Sequence, residues 1–129
     1  MGEYQAGVCN IGPAEIARRR RAGDVGAIVT VVLAAALVVT RAPRLWRLAI
    51  ALPAGGAASG YLQARARFCA GFGSRGVYNF GPVGGELPVE DPEARALDLA
   101  RSRRIGAASA AIGIAAALAT TALPGLPRR

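Results

Sequence analysis

Residues 105–123 are nineteen consecutive positions without a charge, and residues 25–40 and 48–64 form two further uncharged apolar stretches of sixteen and seventeen. The hydrocarbon core of a bilayer takes about 20 mostly apolar residues as a spanning helix, within a range of roughly 17 to 25. The third stretch meets that length outright. The first is short, so Ala22, Gly23 and Asp24 are expected to join its first turn and give a span of about 24–40. Asp24 would then sit at a helix N-terminus, where the macrodipole favours an anion. Arginines flank each stretch, and Pro124 and Pro127 follow the third. The expected fold is an all-α membrane protein over residues 1–129, with three transmembrane helices at about 24–40, 48–64 and 105–123.

Composition supports this reading. The chain is 53% hydrophobic but only 5% aromatic. Alanine and glycine fill the apolar stretches, so a water-soluble core would lack the large side chains that make burial favourable. Small residues instead allow helix backbones to approach closely in a membrane. Gly56 and Gly60 form a GxxxG pattern in the second stretch, and Ser109, Gly113 and Ala117 repeat at four-residue spacing in the third. Both sets are expected to mediate helix packing, and Pro53 to kink the second helix near its first turn.

All sixteen basic residues are arginine, which we attribute to coding bias. Their distribution predicts an orientation. Eleven lie on one side of the expected spans, among them Arg18, Arg19, Arg20, Arg21, Arg101, Arg103 and Arg104, against five on the other. Positive residues collect in the cytoplasm, so the N-terminus is expected inside and the C-terminus outside a multi-pass inner membrane. The same arginines would contact anionic lipid headgroups, each contributing about 1 kcal/mol. A signal peptide is the competing reading of the first stretch. The apolar run begins late, however, and 40–43 offers no A-x-A cleavage site. The long connection, about 65–104, is expected to be a glycine-rich cytoplasmic loop ending in a short amphipathic helix over 92–101 that lies at the headgroups and feeds the third span. Pro92 suits the start of that helix.

A short phrase occurs twice. Gly7-Val8-Cys9-Asn10-Ile11-Gly12-Pro13 returns as Gly76-Val77-Tyr78-Asn79-Phe80-Gly81-Pro82, with five of seven positions identical. Both copies fall on the expected cytoplasmic side, ahead of an arginine cluster. They read as paired interfacial turns in which Asn10 and Asn79 hydrogen-bond local backbone, Gly12 and Gly81 supply backbone freedom, and Pro13 and Pro82 follow. The pairing would bring Cys9 near the region from Cys69 to Asn79. Glu15 stands three and four positions before Arg18 and Arg19, the spacing of a helical ion pair, and that pairing accounts for it.

No histidine is present, which removes imidazole catalysis and histidine metal ligation. Cys9 and Cys69 leave two readings open: a thiol or sulfur-handling pair, with Arg67 and Arg75 raising the thiolate fraction of Cys69, or small apolar residues filling an interface. The second is favoured. Two cysteines without histidine do not complete a usual zinc site, so no metal and no cofactor is expected. The basic clusters abut apolar spans rather than forming an aromatic-lined groove, which argues against nucleic acid.

Asn10-x-Gly12 ahead of the first arginine-rich helix, and Phe68-Cys69-x-x-Phe72-x-x-x-Gly76-Val77 after the second, resemble a family of small bacterial inner-membrane proteins. These form a two-helix hairpin, sometimes fused to rhodanese sulfurtransferase domains. The resemblance covers about residues 8–79. Ala70 stands where that pattern has proline, and the asparagine comes one position late. It implies a helical membrane hairpin with an association to sulfur chemistry. The expected function is that of a structural or accessory subunit without catalysis of its own, with other membrane subunits or a homo-oligomer as partners. A membrane-anchored thiol protein using Cys69 and Cys9 is the alternative.

Overall fold

A computed structural model describes residues 3–124, which are mostly helical. Helix α1 spans Pro13–Val39, α2 Ala51–Ala66, α3 Ala70–Arg75 and α4 Pro92–Ala122, with a 3₁₀ helix over Arg44–Ile50 leading into α2. A two-residue antiparallel pair joins β1 (Val77–Tyr78) to β2 (Leu87–Pro88). Arg128, Arg129 and Pro127 lie outside the described residues.

Several boundaries differ from those the sequence suggested. Helix α1 begins at Pro13, eleven residues before Asp24, because Gly12 is extended and proline fits the first helical position. The arginines at 18–21 are good helix formers and continue the helix instead of preceding it. Asp24 therefore lies in mid-helix, where it accepts a 2.5 Å hydrogen bond from the Tyr61 hydroxyl. The acid that occupies the first turn is Glu15. The separate interfacial helix at 92–101 does not exist, since nothing between Pro92 and Ala122 breaks the helix and α4 is one rod of 31 residues. The stretch at 48–64 is not one α-helix: residues 44–50 wind as 3₁₀, and α2 has 16 residues with Pro53, which has no N–H to donate, in its first turn. Among the described residues two helices, α1 and α4, are long and apolar enough to cross a membrane, rather than three.

Helix α2 is the shared partner of α1 and α4, and it runs antiparallel to both. Against α1, an added Cβ at Gly60 would fall 2.5 Å from the Gly23 nitrogen, and one at Gly26 would fall 2.8 Å from the Ala57 nitrogen. Against α4, a Cβ at Gly113 would fall 2.5 Å from the Ala51 carbonyl and 2.9 Å from Gly55 Cα. Gly56 is a correction to the expected GxxxG face, because nothing lies within 4 Å of its missing side chain. The glycine that meets α4 is its neighbour Gly55. Ser109 is buried beside it and donates to the Ile105 carbonyl at 2.7 Å.

The buried positions of α4 are Ala94, Asp98, Ser102, Ile105, Ser109, Gly113, Ala117 and Thr120. These fall three or four residues apart on one stripe, and all but Ile105 are small or polar. The outward positions Ile112, Ile114 and Leu118 are large and apolar. A helix on a water-soluble core carries the reverse pattern. In α1 only 6% of the apolar stretch is buried, and Val25, Ile28, Val31 and Val32 all face outward.

Candidate functional site at the arginine-rich end

The N-termini of α1 and α4 and the C-terminus of α2 meet at one end of the molecule, and the polar residues there are built around the repeated phrase. The two copies lie side by side. The Asn79 N–H donates to the Asn10 carbonyl at 2.9 Å, and the Gly12 N–H donates to the Asn79 carbonyl at 2.9 Å, forming a parallel bridge between Ile11 and Asn79. Gly12 is required by contact, since a Cβ there would stand 2.9 Å from Phe80 Cα and from its carbonyl oxygen.

The two asparagines use their amides differently. Asn79, whose Nδ2 also reaches Glu15, closes a local turn, accepting from the Gly81 N–H at 2.9 Å and donating to the Pro82 carbonyl at 2.8 Å. Asn10 does not. Its Oδ1 accepts from the Cys69 N–H at 2.6 Å and its Nδ2 donates to the Cys69 carbonyl at 3.1 Å, so one side chain satisfies both backbone groups of a residue 59 positions away. The cause is the end of α2. Arg67 takes a left-handed conformation (φ 53°), and the Phe68 N–H returns to the Gln63 carbonyl in the pattern of a Schellman turn. That turn buries Phe68 completely and aims the next peptide at Asn10.

Glu15 is the centre that sequence reasoning passed over. It is fully buried. Oε1 accepts from Asn79 Nδ2 at 3.2 Å and from the Gly84 N–H at 3.3 Å, while Oε2 receives the Arg19 guanidinium. Burial alone would raise the carboxyl pKa. The Gly84 N–H, the Arg19 charge and the Asn79 amide outweigh it and hold Glu15 below the ordinary carboxylate range. An isolated acid in the first turn after an N-x-G-P sequence was the available signal.

Arg19 links this network to sulfur. Its Nη2 donates to Cys69 Sγ at 2.9 Å, and its guanidinium carbon stands 5.3 Å from the centroid of the Phe72 ring. The Phe72 N–H also points at Cys69 Sγ, at 3.4 Å, so the sulfur caps α3. Arg75, expected beside Cys69, lies on the Phe72 ring at 5.4 Å instead, and Arg67 gives its carbonyl to the Asn10 N–H. Cys9 is also free and buried, with Sγ 3.7 Å from the Ile11 carbonyl. A cleft of about 410 Å³ opens beside Cys69, lined by Arg18, Arg19, Ala22, Gly60 and Gly71. Among the described residues no three of Cys, Asp and Glu gather closely enough to hold a metal ion.

Asp98 was placed by the sequence on a helix at the headgroups, but it is fully buried. It accepts from the Tyr4 hydroxyl at 2.6 Å and from the Gly7 N–H at 2.7 Å, tying the N-terminal segment to α4. Burial and the Asp98 carboxylate push the Tyr4 hydroxyl well above its usual pKa. Its spacing of four from both Ala94 and Ser102 was the legible sign that it belongs to the buried stripe. At the other end of the molecule Arg47 is buried, and its Nη1 donates to the Thr120 and Leu123 carbonyls at 3.0 and 2.8 Å, closing the C-terminus of α4. Arg18, Arg20, Arg21, Arg103 and Arg104 are exposed and Arg101 is half-buried. No protein-family model matches the chain, and neither a curated protein nor a solved structure does.

Proposed function

We propose that this chain is a multi-pass inner-membrane protein of three crossings that serves as a structural or accessory subunit. The observation that carries the proposal is the inverted pattern of α1 and α4: large apolar side chains face outward, small and polar ones face inward, and arginines stand at both ends. A soluble monomer rarely exposes so large a continuous apolar surface. The N-terminal ends of α1 and α4 are tied together through Asp98 and α3, so two crossings in one direction need a return. Helix α2 with the 3₁₀ segment supplies it. At about 1.5 Å per residue α2 covers roughly 24 Å, and the 3₁₀ turn adds roughly 14 Å at about 2.0 Å per residue. The arginine-rich end then faces the cytoplasm by the positive-inside rule, with anionic headgroups around it.

Two measurements test this reading. Resistance to alkaline carbonate extraction, with a C-terminal reporter active only outside the cytoplasm, is the expected result. A reporter active only inside requires an even number of crossings and would refute the topology. Crosslinking in mild detergent should recover a defined partner subunit or a homo-oligomer, and a monomer under all conditions would refute the subunit role.

A second reading is favoured by one contact, the Arg19 guanidinium on Cys69 Sγ beside an open cleft. In it the protein handles a thiol or sulfur group at Cys69. The resemblance to the hairpin family supports it, since its opening element at Asn10 and its closing element at Cys69 are hydrogen-bonded. Alkylation of the intact protein by a membrane-impermeant maleimide separates the two readings. Fast labelling of Cys69 that slows in Arg19→Gln supports the thiol role, and inert thiols support the structural one.

A further inference from the structure

A second cleft, of about 360 Å³, lies between α2 and α4 and is lined by three arginines, Arg65, Arg101 and Arg104. None of the three forms an ion pair with a carboxylate among the described residues; the pairs found there use Arg18, Arg19 and Arg75. Arg101 is the most enclosed of the three, half-buried where Arg65 and Arg104 are exposed. Three cations gathered without a carboxylate partner repel one another, and an anionic oxygen in the cleft would offset that repulsion. The remaining lining is apolar, with Leu62 and Ala66 from α2 and Ile105 and Ala108 from α4.

The depth of the cleft selects the ligand. Arg65 is the first charge after the uncharged stretch 48–64, and Arg104 is the last before 105–122. Because α2 and α4 are antiparallel, those two charge boundaries coincide at one level. An anion held by the arginines would therefore have an apolar floor running directly from it toward the outward-facing belt of α4. A free phosphate uses only the cationic half of this cleft. A phospholipid uses both: its phosphate oxygens match the forked donors of arginine, and its glycerol and proximal acyl carbons cover Leu62, Ile105 and Ala108. A zwitterionic headgroup would bring an ammonium toward three cations.

We propose that the α2–α4 cleft is a binding site for one anionic phospholipid, held through its phosphate by Arg65, Arg101 and Arg104. This rests on the membrane reading above and goes beyond diffuse attraction to charged headgroups, because it names a site with defined occupancy. Arg44, exposed at the opposite end of the molecule from the cleft, is the built-in control.

The test is native mass spectrometry of the full chain in detergent, titrated with phosphatidylglycerol or phosphatidylcholine. The wild type should retain a single phosphatidylglycerol in preference to phosphatidylcholine, and this first reading needs no variant. Arg101→Gln with Arg104→Gln, or Arg65→Gln alone from the other helix, should weaken retention by about tenfold or more, as expected for lost charged hydrogen bonds. Arg44→Gln should leave it within about twofold, or about 0.4 kcal/mol. Excess inorganic phosphate or glycerol phosphate should not displace the lipid. Equal retention of both lipids, equal loss in Arg44→Gln, or displacement by free phosphate would each overturn the site. Carbonate extraction of the same preparation separates the failures: a chain that stays in the membrane yet binds without selectivity loses only this site, and a chain released by carbonate loses both readings.

Discussion

Gly60 and Gly56 lie one turn apart on α2, and the structure gives them opposite roles. An alanine at position 60 would put its Cβ 2.5 Å from the Gly23 nitrogen, 2.7 Å from the Arg19 carbonyl and 2.8 Å from Gly23 Cα. All three are backbone atoms of α1 and cannot rotate away. Restoring an ordinary separation of about 3.5 Å means moving the helices apart by about 1 Å, and a gap of that size forfeits roughly a quarter to a half of each dispersion contact along the seam. Overpacking of this kind costs about 1–3 kcal/mol. At position 56 the same methyl meets nothing within 4 Å, so only the helix-propensity gain of up to about 1 kcal/mol remains. Both variants gain that propensity term. Their difference, about 1–3 kcal/mol with Gly60→Ala the less stable, therefore isolates the packing cost. Reversible unfolding in mixed micelles with increasing denaturing detergent, followed by far-ultraviolet circular dichroism, measures it. Gly60→Leu should go further and release α1 from α2. If Gly60→Ala is as stable as Gly56→Ala, the close-packing argument fails.

Three further outcomes are expected. Asn10→Ala leaves the buried N–H and carbonyl of Cys69 without partners and should cost about 1–3 kcal/mol for each group left unmet; thermal unfolding reads this, and alkylation of Cys69 should accelerate in parallel. Because the folded Glu15 carboxyl is held below its ordinary value, its stabilisation is complete above about pH 4.3 and is lost as pH falls through the lower folded value. A stability profile in acid should be steeper for the wild type than for Glu15→Gln, and identical slopes would refute the network around Glu15. Arg47→Leu frees the carbonyls of Thr120 and Leu123 and should fray the last turn of α4, seen as faster amide hydrogen exchange near Thr120 with little change near Ala94.

The helical class, the uncharged stretches and the recurrence of a seven-residue phrase were legible in the sequence. These follow from composition and spacing along one chain, because a charge-free run bounded by arginine needs no partner to be recognised. The buried stripe of α4 was also legible in principle, as a row of small and polar residues from Ala94 to Thr120 at helical spacing. The tertiary structure alone decided which glycine faces which helix, since Gly55, Gly56 and Gly60 are chemically identical and only the position of α1 and α4 distinguishes them. It also decided that Arg19, not Arg67 or Arg75, reaches Cys69, and that Asn10 serves a peptide 59 residues away. Glu15 shows the reason most plainly. In the sequence it is half of a helical ion pair. In the fold it is fully buried, because the second copy of the phrase returns across 64 residues to place Asn79 against it, and a contact of that separation leaves no local periodicity to read.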